Sequence, residues 1–390
     1  MLISIDRVET VVVRLPPRAD FRWLSLSRPL GEFVLVRIEG SGVEGWGEVV
    51  GLRDWGDIDG RRHGETPTTI SAIVHEYLAP ALVGRPFSLG ELSSRLDEIV
   101  IGNPYAKALL DIAAHDLAGR AYGVPAYALL GGSARASVTV AHMLGLMPED
   151  EAVAEGRAAI GDGVRALQVK GGQDVDRDVR LIRSLREAVG GDVLLRLDAN
   201  GGYRSRTRAK RALAALADAG VDLVEQPLLG LAQLKEARRD SPVPVMADEA
   251  CWTPADALAL VQERAVDALS VYVGKAGGMA RAREVCGIAR AAGLPHDLNG
   301  ALELGIGNAA NLHVALASPA ELLPCVIPVN APEGANPTTT AGRYFTDDVV
   351  VEPFGYRDGA LLQNQAPGLG VDVDLEKVAH YRVDGRETTT

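Results

Sequence analysis

Three acidic residues, Asp198, Glu225 and Asp248, each end a short apolar run, and they stand 27 and 23 residues apart. The runs are Leu194-Leu195-Arg196-Leu197-Asp198, Leu223-Val224-Glu225 and Pro244-Val245-Met246-Ala247-Asp248. Between the first two, Ala209, Ala212, Leu213 and Leu216 recur at helical spacing, and Gly220 closes the stretch. Strand, helix, strand with a crossover of that length makes the strands parallel. Parallel strands present their C-terminal ends on one face, so the three carboxylates should converge there. Gathered carboxylates repel one another unless a cation neutralises them, and oxygen donors without His or Cys suit a hard ion such as Mg²⁺. Acids that merely cap the following helices are the blander alternative, and they account less well for three in succession.

Other residue types cluster around this pattern. Lys170 ends Ala166-Leu167-Gln168-Val169-Lys170, shares a strand face with Gln168, and is followed by Gly171-Gly172. A lysine beside a divalent metal and shielded from water has its charged form disfavoured and can act as a base. It can equally reach across to pair with a carboxylate, and the residues alone leave the two readings even. Asn200, two positions beyond Asp198, is placed to orient a ligand, whereas Glu249 points the other way and suits a salt bridge to Lys275. In the run from Ala268 to Gly278, Ser270, Tyr272 and Gly274 share a face. Tyr272 is there as a proton donor from the opposite side of the site or as a filling aromatic. Gly274-Lys275 lacks the spacing of a phosphate loop. His296 and Asp297 are adjacent, so regular β geometry lets only one face the site. Glu303 is a further polar candidate, and His142 reads as packing or a substrate contact.

The elements that must carry these residues repeat. From Ser137 onward, apolar runs centre near Val140, Gln168, Leu197, Glu225, Met246, Val271, Asp297 and Ile327, at intervals of 28, 29, 28, 21, 25, 26 and 30 residues. One intervening helix sets Val175, Val179, Ile182, Leu185 and Val189 at spacings of 4, 3, 3 and 4. Eight such units argue for an α/β fold of the (β/α)8 TIM-barrel type, with its site at the strand C-termini. Ahead of it, Val11 to Leu15, Glu32 to Ile38 and Glu44 to Glu48 read as an antiparallel sheet. Ala106, Leu110, Ala113 and Leu117 follow as a helix with one buried face. Two loops, Pro16 to Gly31 with Trp23, and Gly51 to Thr66 with Arg53, Trp55 and His63, are candidate lids or plain solvated surface. The expected organisation is an α+β capping domain over 1–132, a barrel over 133–340, and a segment over 341–390 that returns to the capping domain.

A chain of 390 residues with 47% hydrophobic content can bury a large core. Its net charge of −12 disfavours nucleic acid and anionic membranes as partners. The three cysteines are widely spaced, so neither a disulfide framework nor a zinc motif is indicated. The N-terminus lacks a signal-peptide core and no run reaches transmembrane length, which leads to the expectation of a cytoplasmic protein.

With these motifs in hand, the chain resembles the enolase superfamily, in its mandelate racemase/muconate lactonizing branch. The likeness rests on Gly45-Trp46-Gly47-Glu48, Ala108 to Leu117, Leu129-Leu130-Gly131-Gly132, Asp198-Ala199-Asn200, Glu225-Gln226-Pro227 and Ala247-Asp248-Glu249. Lys275-Ala276-Gly277-Gly278, Glu303 to Gly307 and Pro367 to Val371 extend it towards the end of the chain. The resemblance implies a capping domain on a modified barrel, Mg²⁺ held by Asp198, Glu225 and Asp248, a small carboxylate as substrate, and a homo-oligomer. The step shared by the family is removal of a proton α to a carboxylate, giving an enediolate.

Two positions depart from the family pattern. The muconate-lactonizing branch carries Lys-x-Lys on the second barrel strand, where this chain has Gln168-Val169-Lys170. A lysine of the sixth strand is replaced by Tyr272, and the histidine of the mandelate-racemase branch aligns with Asn299. One base remains, opposite a phenol of pKa ~10 that donates better than it accepts at neutral pH. The expectation is therefore elimination of water or cycloisomerisation, with racemisation as the runner-up. An inactive, binding relative is a competing class, and the acidic triad argues against a Schiff-base aldolase.

Overall fold

The computed structural model describes residues 2–23, 31–52, 65–335, 340–383 and 388–389. Arg53, Trp55 and His63, three of the expected lid residues, lie outside the described residues.

The alternating N-terminal segments form antiparallel strands β1 (Arg7–Arg14), β2 (Glu32–Gly40) and β3 (Val43–Val50). Ser41 and Gly42 connect β2 to β3 with both φ angles positive, 51° and 79°, which suits the right-handed twist of a tight hairpin. Over this sheet lies the helix Pro104–Tyr122, opened by Pro in its first turn and closed by Gly123 at φ 68°. Its residues are buried continuously from Tyr105 to Gly119, rather than on the single face that the spacing suggests. The helix is sandwiched, with the sheet on one side and the barrel on the other. On the sheet side, a Cβ at Gly47 would meet the Leu109 carbonyl oxygen at 2.2 Å, and one at Gly45 the Ala113 oxygen at 2.4 Å. On the barrel side, Asp111 accepts from the Met279 amide at 2.6 Å.

A short strand, β4 (Ser137–Thr139), leads into the barrel. Seven parallel strands then follow in chain order around one sheet: β5 (His142–Leu144), β6 (Ala166–Lys170), β7 (Leu194–Asp198), β8 (Leu223–Glu225), β9 (Val245–Ala247), β10 (Ala268–Tyr272) and β11 (His296–Asn299). The eighth unit, expected near Ile327, is no strand. Pro324 and Pro328 flank it and remove ladder donors. Single parallel bridges, His296 to Leu322 and Val140 to Cys325, join the segment to β11 and to the chain entering β5. The architecture is a modified TIM-type barrel beside an N-terminal α+β unit. Near the C-terminus, β12 (Tyr356–Arg357) pairs with β13 (Ala360–Leu362), which pairs in turn with β4. Arg382 bridges Val13, and β14 (Thr388–Thr389) runs antiparallel to β1.

Two features of this frame bear on the site. The helices after β7 and β9 are capped by Ser205 and Thr253, and the one after β8 starts at Gly230. The strand-end acids therefore cap none of these helices. Glu48 of β3 reaches the other way, accepting from the amides of Leu304 at 2.6 Å and Gly307 at 2.8 Å, at the start of the barrel helix Gly305–Ala317. That contact pins the loop 300–304, one wall of the cavity described below, to the N-terminal sheet.

Candidate functional site

Register brings the charged residues together. Lys170 pairs with Asp198 and Asp198 with Glu225, the last residues of β6, β7 and β8, while Asp248 directly follows β9. All three acids are buried, and they offer carboxylate oxygens within 4.8 Å of one another. Burial, and then the Asp198 charge, push Glu225 up to about 8, against the pull of Arg196. Oε1 of Glu225 is buried and has no hydrogen-bond partner among the described residues. An orphaned carboxylate oxygen within an all-oxygen donor set fits a hard divalent cation.

Two lysines serve this cluster. Lys170 Nζ donates to Asp198 Oδ2 at 2.5 Å and lies 5.5 Å from the centre of the Trp23 ring. Burial acts to lower the Lys170 pKa, but Asp198 and Glu225 together outweigh it and raise the value. Lys275 is 1% exposed and donates to Asp248 Oδ1 at 2.5 Å, to the Asp248 carbonyl at 2.7 Å and to the Ser270 carbonyl at 3.1 Å. The expected Lys275–Glu249 bridge is thus replaced by a Lys275–Asp248 bridge. Glu249 instead accepts from Asn200 Nδ2 at 2.9 Å. Both differences have one cause: β7 ends at Asp198 and β9 at Ala247, so strand alternation no longer governs Asn200, Asp248 or Glu249. Asn200 sits in a turn at φ 43° and donates its backbone N–H to Asp198 Oδ1 at 2.9 Å. Gly274 likewise leaves the strand face of Tyr272, because β10 gives way to the short helix Val273–Ala276.

Beneath the acids lies a layer in which the sequence pattern singled out Gln168 but not Arg196. Arg196, 2% exposed, approaches Glu225 Oε2 with Nε at 3.2 Å and bonds Asp297 through Nη1. Gln168 Nε2 donates to the same Glu225 Oε2 at 2.8 Å. Arg196 stands two residues before Asp198, so its parity already placed it inside the barrel. Asp297 faces inward with it, while His296 turns outward to bond Ser318.

Tyr272 closes the sixth strand with its hydroxyl 3.4 Å from Asp248 Oδ2 and the Lys275 ammonium 4.4 Å from its ring centre. Burial, then the charges of Asp248 and Glu225, push its phenol well above 10. Asn299 is fully buried and committed, donating to Ser270 Oγ at 3.0 Å and accepting from the Val326 amide at 2.8 Å. Glu303 accepts from the Ala301 amide at 3.0 Å, and burial pushes it up to about 7. His142 stacks on Tyr344 and meets Glu155 at 3.0 Å, a packing position. Gln168, Lys170, Asn200, Asp248, Glu249 and Tyr272 line one small cavity, walled by Trp23, Met143, Gly300–Leu302 and Val326.

A barrel with an acidic triad at its strand ends, a lysine beside it and an α+β unit packed against it defines a class of enzyme. The family models identify which. Residues 8–131 match the N-terminal domain of mandelate racemase/muconate lactonizing enzymes, and residues 151–378 match the enolase C-terminal domain-like family. The chain belongs to the mandelate racemase/muconate lactonizing enzyme family of the enolase superfamily, enzymes of the isomerase and lyase kind that use a divalent metal. It is 33% identical to muconate cycloisomerase 1 of Rhodococcus opacus, over 96% of this chain and 98% of that protein. It superposes on the muconate lactonizing enzyme of Pseudomonas fluorescens, complexed with muconolactone, with a TM-score of 0.86 at 28% identity, covering 97% of this chain and 99% of the other. The N-succinyl Arg/Lys racemase of Bacillus cereus gives 0.87 at 25% identity, covering 99% and 100%. Among the described residues, no helix is long and apolar enough to cross a membrane.

Proposed function

We propose that this protein catalyses Mg²⁺-dependent abstraction of a proton α to a carboxylate, completed as cycloisomerisation or as β-elimination of water from a small acid. The observation that carries this reading is Lys170, whose ammonium lines the cavity at the triad's edge, 2.5 Å from Asp198. A divalent ion held by Asp198, Glu225 and Asp248 supplies charge stabilisation for the substrate carboxylate as its second negative charge develops. With a dication among these acids, the charges that raise Lys170 are offset and burial, which lowers it, gains weight. Lys170 Nζ then takes the α proton. Tyr272 remains protonated and donates, because an anionic phenolate beside Asp248 would add charge where three carboxylates already stand. Lys275 balances Asp248 through its contact with Oδ1. Residues 1–132 act as the capping unit, 133–340 as the barrel, and 341–390 as the segment returning to the cap.

Solvent deuterium exchange tests the reading. With Mg²⁺, a library of carboxylic acids incubated in D₂O should yield members labelled at the α carbon, and EDTA should stop the labelling. No labelled acid, with metal bound, would favour an inactive binding relative. Racemisation is the second reading, supported by the superposition on N-succinyl Arg/Lys racemase. It requires Tyr272 to exchange protons on the face opposite Lys170.

A further inference from the structure

We infer that Gln168 and Arg196 hold Glu225 as a one-oxygen ligand, making the centre selective for a small divalent ion over a larger one. The inference rests on the triad being the metal centre proposed above. Gln168 Nε2 donates to Oε2 of Glu225 at 2.8 Å and Arg196 Nε pairs with the same oxygen by charge at 3.2 Å, without a hydrogen bond, while Oε1 is buried and unpartnered among the described residues. The two side chains lie one layer below the acids, since Gln168 pairs in register with Arg196 as Lys170 does with Asp198. Arg196 is itself fixed by Asp297 and lies 3.5 Å from Met246 Sδ.

For Glu225 to bind through both oxygens, Oε2 would have to give up the Gln168 amide hydrogen bond and move off the Arg196 charge in a buried site. Asp248 carries Lys275 on Oδ1, with the Tyr272 hydroxyl 3.4 Å from Oδ2. Ca²⁺ takes about six to eight oxygens, often through bidentate carboxylates, whereas Mg²⁺ is satisfied by about six single oxygens in octahedral array. Gln168 thus works on the metal side of the site, which gives a glutamine here a task that needs no proton transfer.

Calorimetric titration of metal-free protein with Mg²⁺ and with Ca²⁺ tests this on the wild type, Gln168→Met and Arg196→Lys, with circular dichroism as the folding control. Each variant should bind Mg²⁺ about tenfold more weakly or worse, as loss of a partner behind a metal ligand does. Ca²⁺ binding should hold, so the ratio of the Ca²⁺ to the Mg²⁺ dissociation constant falls by about the same factor. A ratio unmoved in folded variants overturns the clamp, whatever happens to the separate affinities, because general loosening weakens both ions alike. If Arg196→Lys fails to fold, the near-isosteric Gln168→Met decides. Wild-type protein that binds neither ion overturns the metal centre and the clamp together.

Discussion

Lys170 and Asp198 end adjacent parallel strands in register, and the ammonium of one lies 2.5 Å from the carboxylate of the other. In the metal-free protein this pair balances a buried charge; in the loaded enzyme a dication shares that task. Lys170→Met should therefore destabilise the EDTA-treated protein strongly, by about 3–5 kcal/mol, as removal of one member of a buried pair does. Saturating Mg²⁺ should recover most of that loss while deuterium exchange stays absent. Thermal midpoints with and without Mg²⁺ read the difference. Equal destabilisation under both conditions would show that the triad and Lys170 do not share a cation.

Tyr272→Phe separates donor from base. The phenol lies 3.4 Å from Asp248 and is held well above 10 by burial and neighbouring carboxylates. The variant should lose turnover yet keep α-proton exchange on the face served by Lys170. Exchange measured with each enantiomer of a chiral acid decides. If Tyr272→Phe abolishes exchange from one enantiomer alone and Lys170→Ala from the other, the enzyme uses two bases and racemisation is its reaction.

How far the site could be read from the sequence depended on where strand geometry ended. The triad was legible because a parallel barrel gathers strand-end acids at one-unit spacing on a single face, where only a cation relieves their repulsion. The eighth strand was not legible as absent, because the apolar run near Ile327 masks Pro324 and Pro328, which take donors from the ladder. The partners of Asn200 and Glu249 escaped for a related reason. Period-2 logic fails past a strand's end, and two residues beyond β7 Asn200 enters a left-handed turn. Arg196 carried a usable signal in its inward parity, but a lone arginine inside an apolar run has no second charge beside it in sequence. Its partner Asp297 lies four strands further on. The continuous burial of Tyr105 to Gly119 depends on packing between two bodies, which no periodicity in the helix itself reports.

Several buried acids set a pH dependence with a definite sign. Burial raises Glu225 from 4.5 to about 8, Glu303 from 4.5 to about 7 and Asp348 from 3.8 to about 6. Between about pH 4 and pH 8 these folded, metal-free acids hold protons that the unfolded chain has released, which lowers stability as pH rises. His296 and His313, lowered by burial to about 4, act the other way up to about pH 6.5, and the acids are left unopposed above it. The thermal midpoint in EDTA should decline from pH 6.5 to 8.5 (about the range over which these acids titrate unopposed). Mg²⁺ should flatten the part due to Glu225, since it binds the ionised form. Glu225→Gln should flatten the same part without metal, leaving the share of Glu303 and Asp348. A midpoint that rises with pH in EDTA over that range would contradict the burial of these groups in their charged state.

Glu48 joins the N-terminal sheet to the barrel wall, and its removal should be felt on both sides of that joint. Its carboxyl, fully buried and raised well above the usual glutamate range by that burial, accepts from the Leu304 and Gly307 amides. Glu48→Ala would leave both amides buried and unpaired, at about 1–3 kcal/mol each before any water enters the space. Glu48→Gln retains one accepting oxygen, so it should cost about half as much as Ala on that account. The loop held by this contact carries Ala301 and Leu302 into the cavity, far from the metal ligands in sequence. Both variants should therefore raise KM more than they lower kcat, and Mg²⁺ affinity should stay at the wild-type value. Steady-state kinetics alongside a metal titration would check this. A loss of Mg²⁺ affinity equal to the loss in kcat/KM would mean that Glu48 supports the barrel as a whole rather than the cavity wall at 300–304.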